Sequence, residues 1–82
     1  MKIIISVDFS HKDFNKDFGL ASVLTQEHTI LLVNSEKQLK EAYSHYDLFI
    51  KGYSSFELDK PKFKINAKEY TFDKLIEVIN AK

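Results

Sequence analysis

The sequence predicts a small α/β domain in three layers, with a parallel β-α-β-α-β core followed by a short β-hairpin and a C-terminal helix. Three observations predict it. The chain opens on an apolar, β-branched run, Ile3-Ile4-Ile5-Ser6-Val7, which stops at Asp8 and Ser10. Two more apolar runs of strand length follow, Thr29-Ile30-Leu31-Leu32-Val33 and Leu48-Phe49-Ile50. Between successive runs, apolar residues recur three and four apart, the spacing of one helix face. Strands alternating with helices imply parallel neighbours joined by right-handed crossovers.

Each element has its own local reason. The first strand is residues 3–7. Ser10-His11-Lys12-Asp13 then reads as a helix start, with Ser10 as cap and Asp13 three positions on. Phe14, Phe18, Ala21 and Leu24 form the expected inner face, and Gly19 weakens the helix by about 1 kcal/mol relative to alanine. The helix is expected to end near Gln26-Glu27-His28. The run at 29–33 is uniformly apolar, as in a strand covered on both sides. Ser35 and Gln38 make a second capping pair. Leu39, Ala42, Tyr43 and Tyr46 form the stripe of the second helix. Asp47 turns the chain into the third strand, which ends at Gly52-Tyr53-Ser54-Ser55.

Beyond Ser55 the rhythm changes. Residues 56–60 read as a connector closed by Pro61. Lys62-Phe63-Lys64-Ile65 alternates polar and apolar residues, the mark of a half-exposed strand. Asn66-Ala67 is expected to turn it into a return at Glu69-Tyr70, completing the hairpin. Thr71 caps a last helix with Phe72, Leu75, Ile76 and Ile79 inside. A competing reading makes residues 18–24 a strand, which gives three strands, a helix and a strand. That order resembles the ribonuclease H-like fold, with Asp8 at its catalytic position on strand one. The cap before Phe14 and the three-to-four spacing favour the helix.

Composition narrows the function classes. The 82 residues are read as one domain, 1–82, with 44% hydrophobic and 29% charged residues. There is no cysteine, so disulfides and thiolate chemistry are excluded, and a cytoplasmic setting is expected. The first apolar run is too short for a signal peptide, and no stretch has the roughly 18 apolar residues of a membrane span. Twelve lysines balance twelve acids. A zero net charge offers nucleic acid no global attraction. Without arginine there is no bidentate fork for phosphate or guanine. Abundant Lys, Asn, Ile and Phe without Arg or Trp is the composition of an AT-rich genome.

Candidate surfaces follow from the topology. Asp8-Phe9-Ser10, Asn34-Ser35 and Tyr53-Ser54 would share the C-terminal edge of a parallel sheet, where ligands of open α/β sheets bind. Ser10, Ser35 and the helices they open are expected to offer an anion free N–H groups. Asp8 and His11 are expected to meet at the mouth of strand one, as a general-base pair or as two metal ligands. Asp13-Asn15-Asp17 has the spacing of a calcium loop, but Phe18 stands where glycine is required and Leu24 where glutamate is. The expectation is a solvated helix start and no metal or cofactor. His28 and His45 are expected at the surface. Lys60, Lys62, Lys64 and Lys68 form a basic edge, with Lys60, Lys62 and Lys64 on one face and Phe63 and Ile65 on the other. Tyr53 is the expected exposed contact residue.

The strand–helix–strand–helix–strand order ending at Ser55 resembles the opening of Rossmann-like proteins, including the N-terminal halves of two-domain glycosyltransferases, without a diagnostic motif of any of them. The first functional expectation is a non-catalytic module that docks on another protein through Lys60, Lys62, Lys64, Lys68 and Tyr53. A phage or mobile-element inhibitor of a host factor fits that composition. The alternative is a small-ligand or phosphate-binding domain, possibly enzymatic, using Asp8, Ser10, His11, Asn34, Ser35, Tyr53 and Ser54. A third is a nucleic-acid binder along the lysine edge. No membrane partner is expected.

Overall fold

A computed structural model describes residues 1–53, 56–58 and 63–81. The elements in chain order are β1 (Lys2–Ser6), α1 (Phe14–Leu24), β2 (Thr29–Val33), α2 (Glu36–Ala42), β3 (Leu48–Lys51), β4 (Lys64–Asn66) and α3 (Phe72–Asn80). Single turns of tighter helix follow α2 and β4, at Tyr43–His45 and Ala67–Glu69. The four strands form one sheet in the order β2-β1-β3-β4, and every pair is parallel.

The alternation of side chains along the strands builds a core on each side of the sheet. Ile3, Ile5, Val7, Leu48, Ile50 and Ile65 face Leu20, Ala21 and Leu24 of α1 and Leu75 and Ile79 of α3. Ile4, Val33 and Phe49 face Leu39 of α2. Three layers result: α1 and α3, the sheet, then α2. The Tyr43 ring meets Phe49 edge-on at 6.3 Å. Strand β1 is central, and Ile3, Ile4 and Ile5 are wholly buried. The continuous apolar run that opens the chain is what a strand covered on both faces requires.

Two of the expected caps form. Ser35 Oγ accepts the Gln38 N–H at 3.2 Å, while Gln38 Oε1 accepts the Asn34 N–H at 2.9 Å. Thr71 Oγ1 accepts the Lys74 N–H at 3.3 Å at the head of α3. Ser10 does not cap α1. The helix starts at Phe14 with Asp13 in the cap position and no side-chain cap bond. Ser10 instead donates both its N–H and its hydroxyl to Asp8 Oδ1, which closes a turn before the helix. Because 14–24 is helical, the ribonuclease H-like strand order does not form.

The hairpin is also corrected. Residues 64–66 run parallel to β3, pairing Phe49 with Lys64, Ile50 with Ile65 and Lys51 with Asn66. The connection over residues 52–63 has about the dozen residues that a parallel crossover needs. Asn66 does not open a return strand; its Oδ1 accepts the Lys68 N–H at 3.1 Å and starts a helical turn. Phe63 precedes β4 and is 62% exposed, so it does not share the buried face of Ile65.

The inner face of α1 includes Ala21 and Leu24 as expected, with Phe14 half-buried against the core, but departs from expectation at Phe18. Asp17, Leu20, Ala21 and Leu24 are buried, whereas Phe18 is 37% exposed. In α3, Leu75 and Ile79 are buried as expected, but Phe72 is 46% exposed at the first turn. No described helix is long and apolar enough to cross a membrane.

Candidate functional site: a cleft at Asp17

The strand order reverses between β1 and β3. The chain leaves β1 for β2 on one side, then crosses by α2 to β3 on the other. In open parallel sheets, the loops beyond the strand ends diverge at such a point and leave a crevice. Here β1 ends at Ser6 and β3 ends at Lys51, followed by Gly52 and Tyr53. The Gly52 N–H donates to Ser6 O at 3.1 Å, which ties the two ends together.

Asp17 reaches this point from α1. Its side chain is 1% exposed. Oδ2 accepts the Tyr53 N–H at 3.2 Å. Oδ1 is buried and has no hydrogen-bond partner among the described residues. Burial pushes the carboxyl up to about 6, against the opposing effects of the Tyr53 N–H and the His11 charge. A half-satisfied carboxylate out of water is a costly arrangement.

The same carboxylate lines a cleft of about 340 Å³. Lys16, Gly19 and Leu20 of α1 form one wall. Ala67, Tyr70, Thr71, Phe72 and Leu75, before and within α3, form the other, with Tyr53 at the strand end. The lining is mostly aromatic and aliphatic, with a few polar groups, the composition of a small-molecule site. Lys16 Nζ lies 5.0 Å from the centre of the Tyr53 ring and 3.7 Å from Asp13 Oδ1. The His11 ring stacks on Tyr53 at 6.4 Å, and its Nδ1 accepts the Asp13 N–H at 3.1 Å.

Of the ligand residues expected from the sequence, Tyr53 lines this cleft. It is half-buried rather than freely exposed. Asp8 and Ser10 are engaged with each other, and Ser10's hydroxyl and N–H hold the Asp8 carboxyl below the usual range, aided by the His11 charge. His11 stands beside the cleft, on Tyr53. Asn34 and Ser35 are occupied in capping α2, beyond β2, and do not line the cleft. Ser54 lies outside the described residues. Among the described residues, no three His, Asp or Glu side chains gather as a metal centre.

Apart from Tyr53, none of the lining residues was expected as a site residue, Asp17, Lys16, Tyr70, Thr71 and Phe72 among them. Asp17 was expected to be solvated. The signal that locates it is its register, three, four and seven residues before Leu20, Ala21 and Leu24. An acid at that register lies on the side of the helix that carries its apolar stripe.

The lysine edge is partly described. Lys64 donates to Glu57 Oε2 at 2.8 Å, and Lys51 lies 3.5 Å from the same oxygen. These lysines hold the Glu57 carboxyl below its ordinary range, the Lys64 hydrogen bond being the larger cause. Lys68 is exposed. Lys60 and Lys62 lie outside the described residues. His45 is exposed, and His28 bridges the N-terminal amine and Asn80 at 3.1 and 3.0 Å.

A second surface feature adjoins α1. Phe9, Phe14 and Phe18 pack on one another, with ring centres 5.6 to 6.0 Å apart. Phe9 is 49% exposed. Comparison with protein-family models, curated proteins and solved structures gives no match to the chain.

Proposed function

We propose that this chain is a small-ligand-binding domain whose ligand enters the cleft at Asp17. One observation carries the reading: Asp17, a lining residue of the cleft, has a carboxylate excluded from water with one oxygen lacking a hydrogen-bond partner among the described residues. Buried polar groups are normally satisfied, and an exception calls for a partner. A perturbed acid in a cleft is also a mark of functional sites. The position supports the reading, because the cleft adjoins the strand ends where the sheet order reverses. So does the size, since about 340 Å³ falls within the roughly 300–1,000 Å³ of small-molecule pockets.

The test is a backbone amide spectrum of the isotopically labelled chain, recorded with small amine, alcohol and carboxylate fragments at millimolar concentration. Binding should shift the amides of Asp17, Gly19, Tyr53, Tyr70 and Thr71. Gly19→Phe should remove those shifts. Gly19 lines the cleft, and a β-carbon there meets nothing within 4 Å, so a bulky side chain at this position is expected to obstruct the cleft. If no fragment perturbs these amides, the reading fails.

The exposed Phe9 and Phe18, packed around half-buried Phe14, favour a second reading, docking on an apolar segment of another protein. Affinity capture should then recover a defined partner that Phe9→Ser and Phe18→Ser both lose. A partner retained by both variants counts against this surface.

A further inference from the structure

Resting on that reading of the cleft, we infer that its ligand carries a protonated amine, held between the Asp17 carboxylate and the surrounding aromatic rings. The buried Oδ1 lacks a hydrogen-bond donor among the described residues, and Oδ2 already has one in the Tyr53 N–H. A neutral donor would satisfy the lone pairs alone. An ammonium also compensates the charge, which matters most where water is excluded.

The walls suit the same chemistry. Tyr53, Tyr70 and Phe72 bring three aromatic rings to the lining of a cleft that also holds one carboxylate. Aromatic faces attract ammonium groups, and more strongly once these are desolvated. The chain itself gives an example at the rim. The Lys16 ammonium sits 5.0 Å from the Tyr53 ring centre, in a side chain that is 60% exposed. The Tyr53 ring is thus already used as a cation platform. Lys16 is held toward Asp13 on its own helix, so it leaves Asp17 Oδ1 without a partner. An anion would meet the Asp17 charge directly, which sets this site apart from a phosphate site.

An isosteric series separates the possibilities: phenethylamine, phenethyl alcohol and phenylacetate, titrated at pH 7.5 into the full chain and followed by amide shifts. The amine is expected to bind at least tenfold more tightly than the other two. Asp17→Asn should remove that preference while leaving the folded spectrum intact. Tyr53→Leu keeps the backbone donor to Asp17 and should weaken the amine several-fold more than the alcohol. If the alcohol or the acid binds in the cleft as tightly as the amine, the cleft is a ligand site but the amine inference is overturned. If none of the three shifts the cleft amides, while another fragment does, the inference is also overturned and the broader reading stands. If no fragment of any kind does, both fall.

Discussion

Gly52 packs directly against the Asp17 carboxylate. A β-carbon at position 52 would collide with Asp17 Oδ2 and with the backbone oxygen of Ser6. The side chain has little room to retreat, and the Ser6 oxygen belongs to the central strand. The absence of a side chain at Gly52 is what lets an acid from α1 reach the ends of β1 and β3.

The two glycines should therefore respond oppositely to alanine. Gly52→Ala is expected to cost at least about 1–3 kcal/mol through overpacking. It should also shift the amides around the cleft. Gly19 stands in α1 with open space around it, so Gly19→Ala is expected to stabilise by about 0.5–1 kcal/mol through helix propensity. Urea denaturation of both variants checks the pair. Equal effects at the two positions would contradict the close approach at Gly52.

Stability should also depend on pH through Asp17. Its carboxyl is raised from 3.8 to about 6 on folding. Between those values the folded chain holds a proton that the unfolded chain has released. The contribution of Asp17 is therefore most favourable below about pH 4 and is lost as pH rises through about 6. The gap corresponds to roughly 3 kcal/mol. Asp17→Asn is expected to raise stability at pH 7.5 by about 1–3 kcal/mol and to gain little at pH 4. Asp8 and Glu57, whose carboxyls are lowered, act in the opposite sense. The measurement is thus the variant-minus-parent difference across pH 4–7.5. A difference that stays constant with pH would contradict a raised Asp17.

The inner face of α1 gives a third prediction. Leu20 is buried and Phe18 is 37% exposed. Leu20→Ala is expected to cost about 2–5 kcal/mol. Phe18→Ser should cost far less, because it loses ring contacts only with Phe9 and Phe14 among the aromatic pairs at this surface. Chemical denaturation of the two variants decides which face is inside; the reverse order would restore Phe18 to the inner face.

The turn after β1 gives a fourth. Ser10→Ala removes the hydroxyl that donates to Asp8. The Asp8 carboxyl should then titrate at higher pH, moving toward its ordinary 3.8. A carboxyl carbon NMR titration reads this directly, and an unchanged Asp8 would show that the Ser10 hydroxyl does not set its ionisation.

The sequence by itself determined the α/β class, the parallel β1, β2 and β3, and the caps at Ser35 and Thr71. These are local properties. Apolar runs, residue spacing and a hydroxyl one turn from an N–H lie within a few positions of one another. Only the tertiary structure decided three other things. Residues 64–66 could have paired in either direction, and in the folded sheet they run parallel to β3. The face of α1 was ambiguous because Phe18 shares the spacing of its apolar residues, and packing against the sheet buried Asp17 and Leu20 while leaving Phe18 at the surface. The cleft joins Asp17, Tyr53 and Tyr70 from three separate elements. Asp17 at its register in the stripe was legible as an acid. That it would be buried, with one oxygen left unpartnered, depended on Gly52 arriving at the end of the neighbouring strand β3, a contact between positions 35 residues apart.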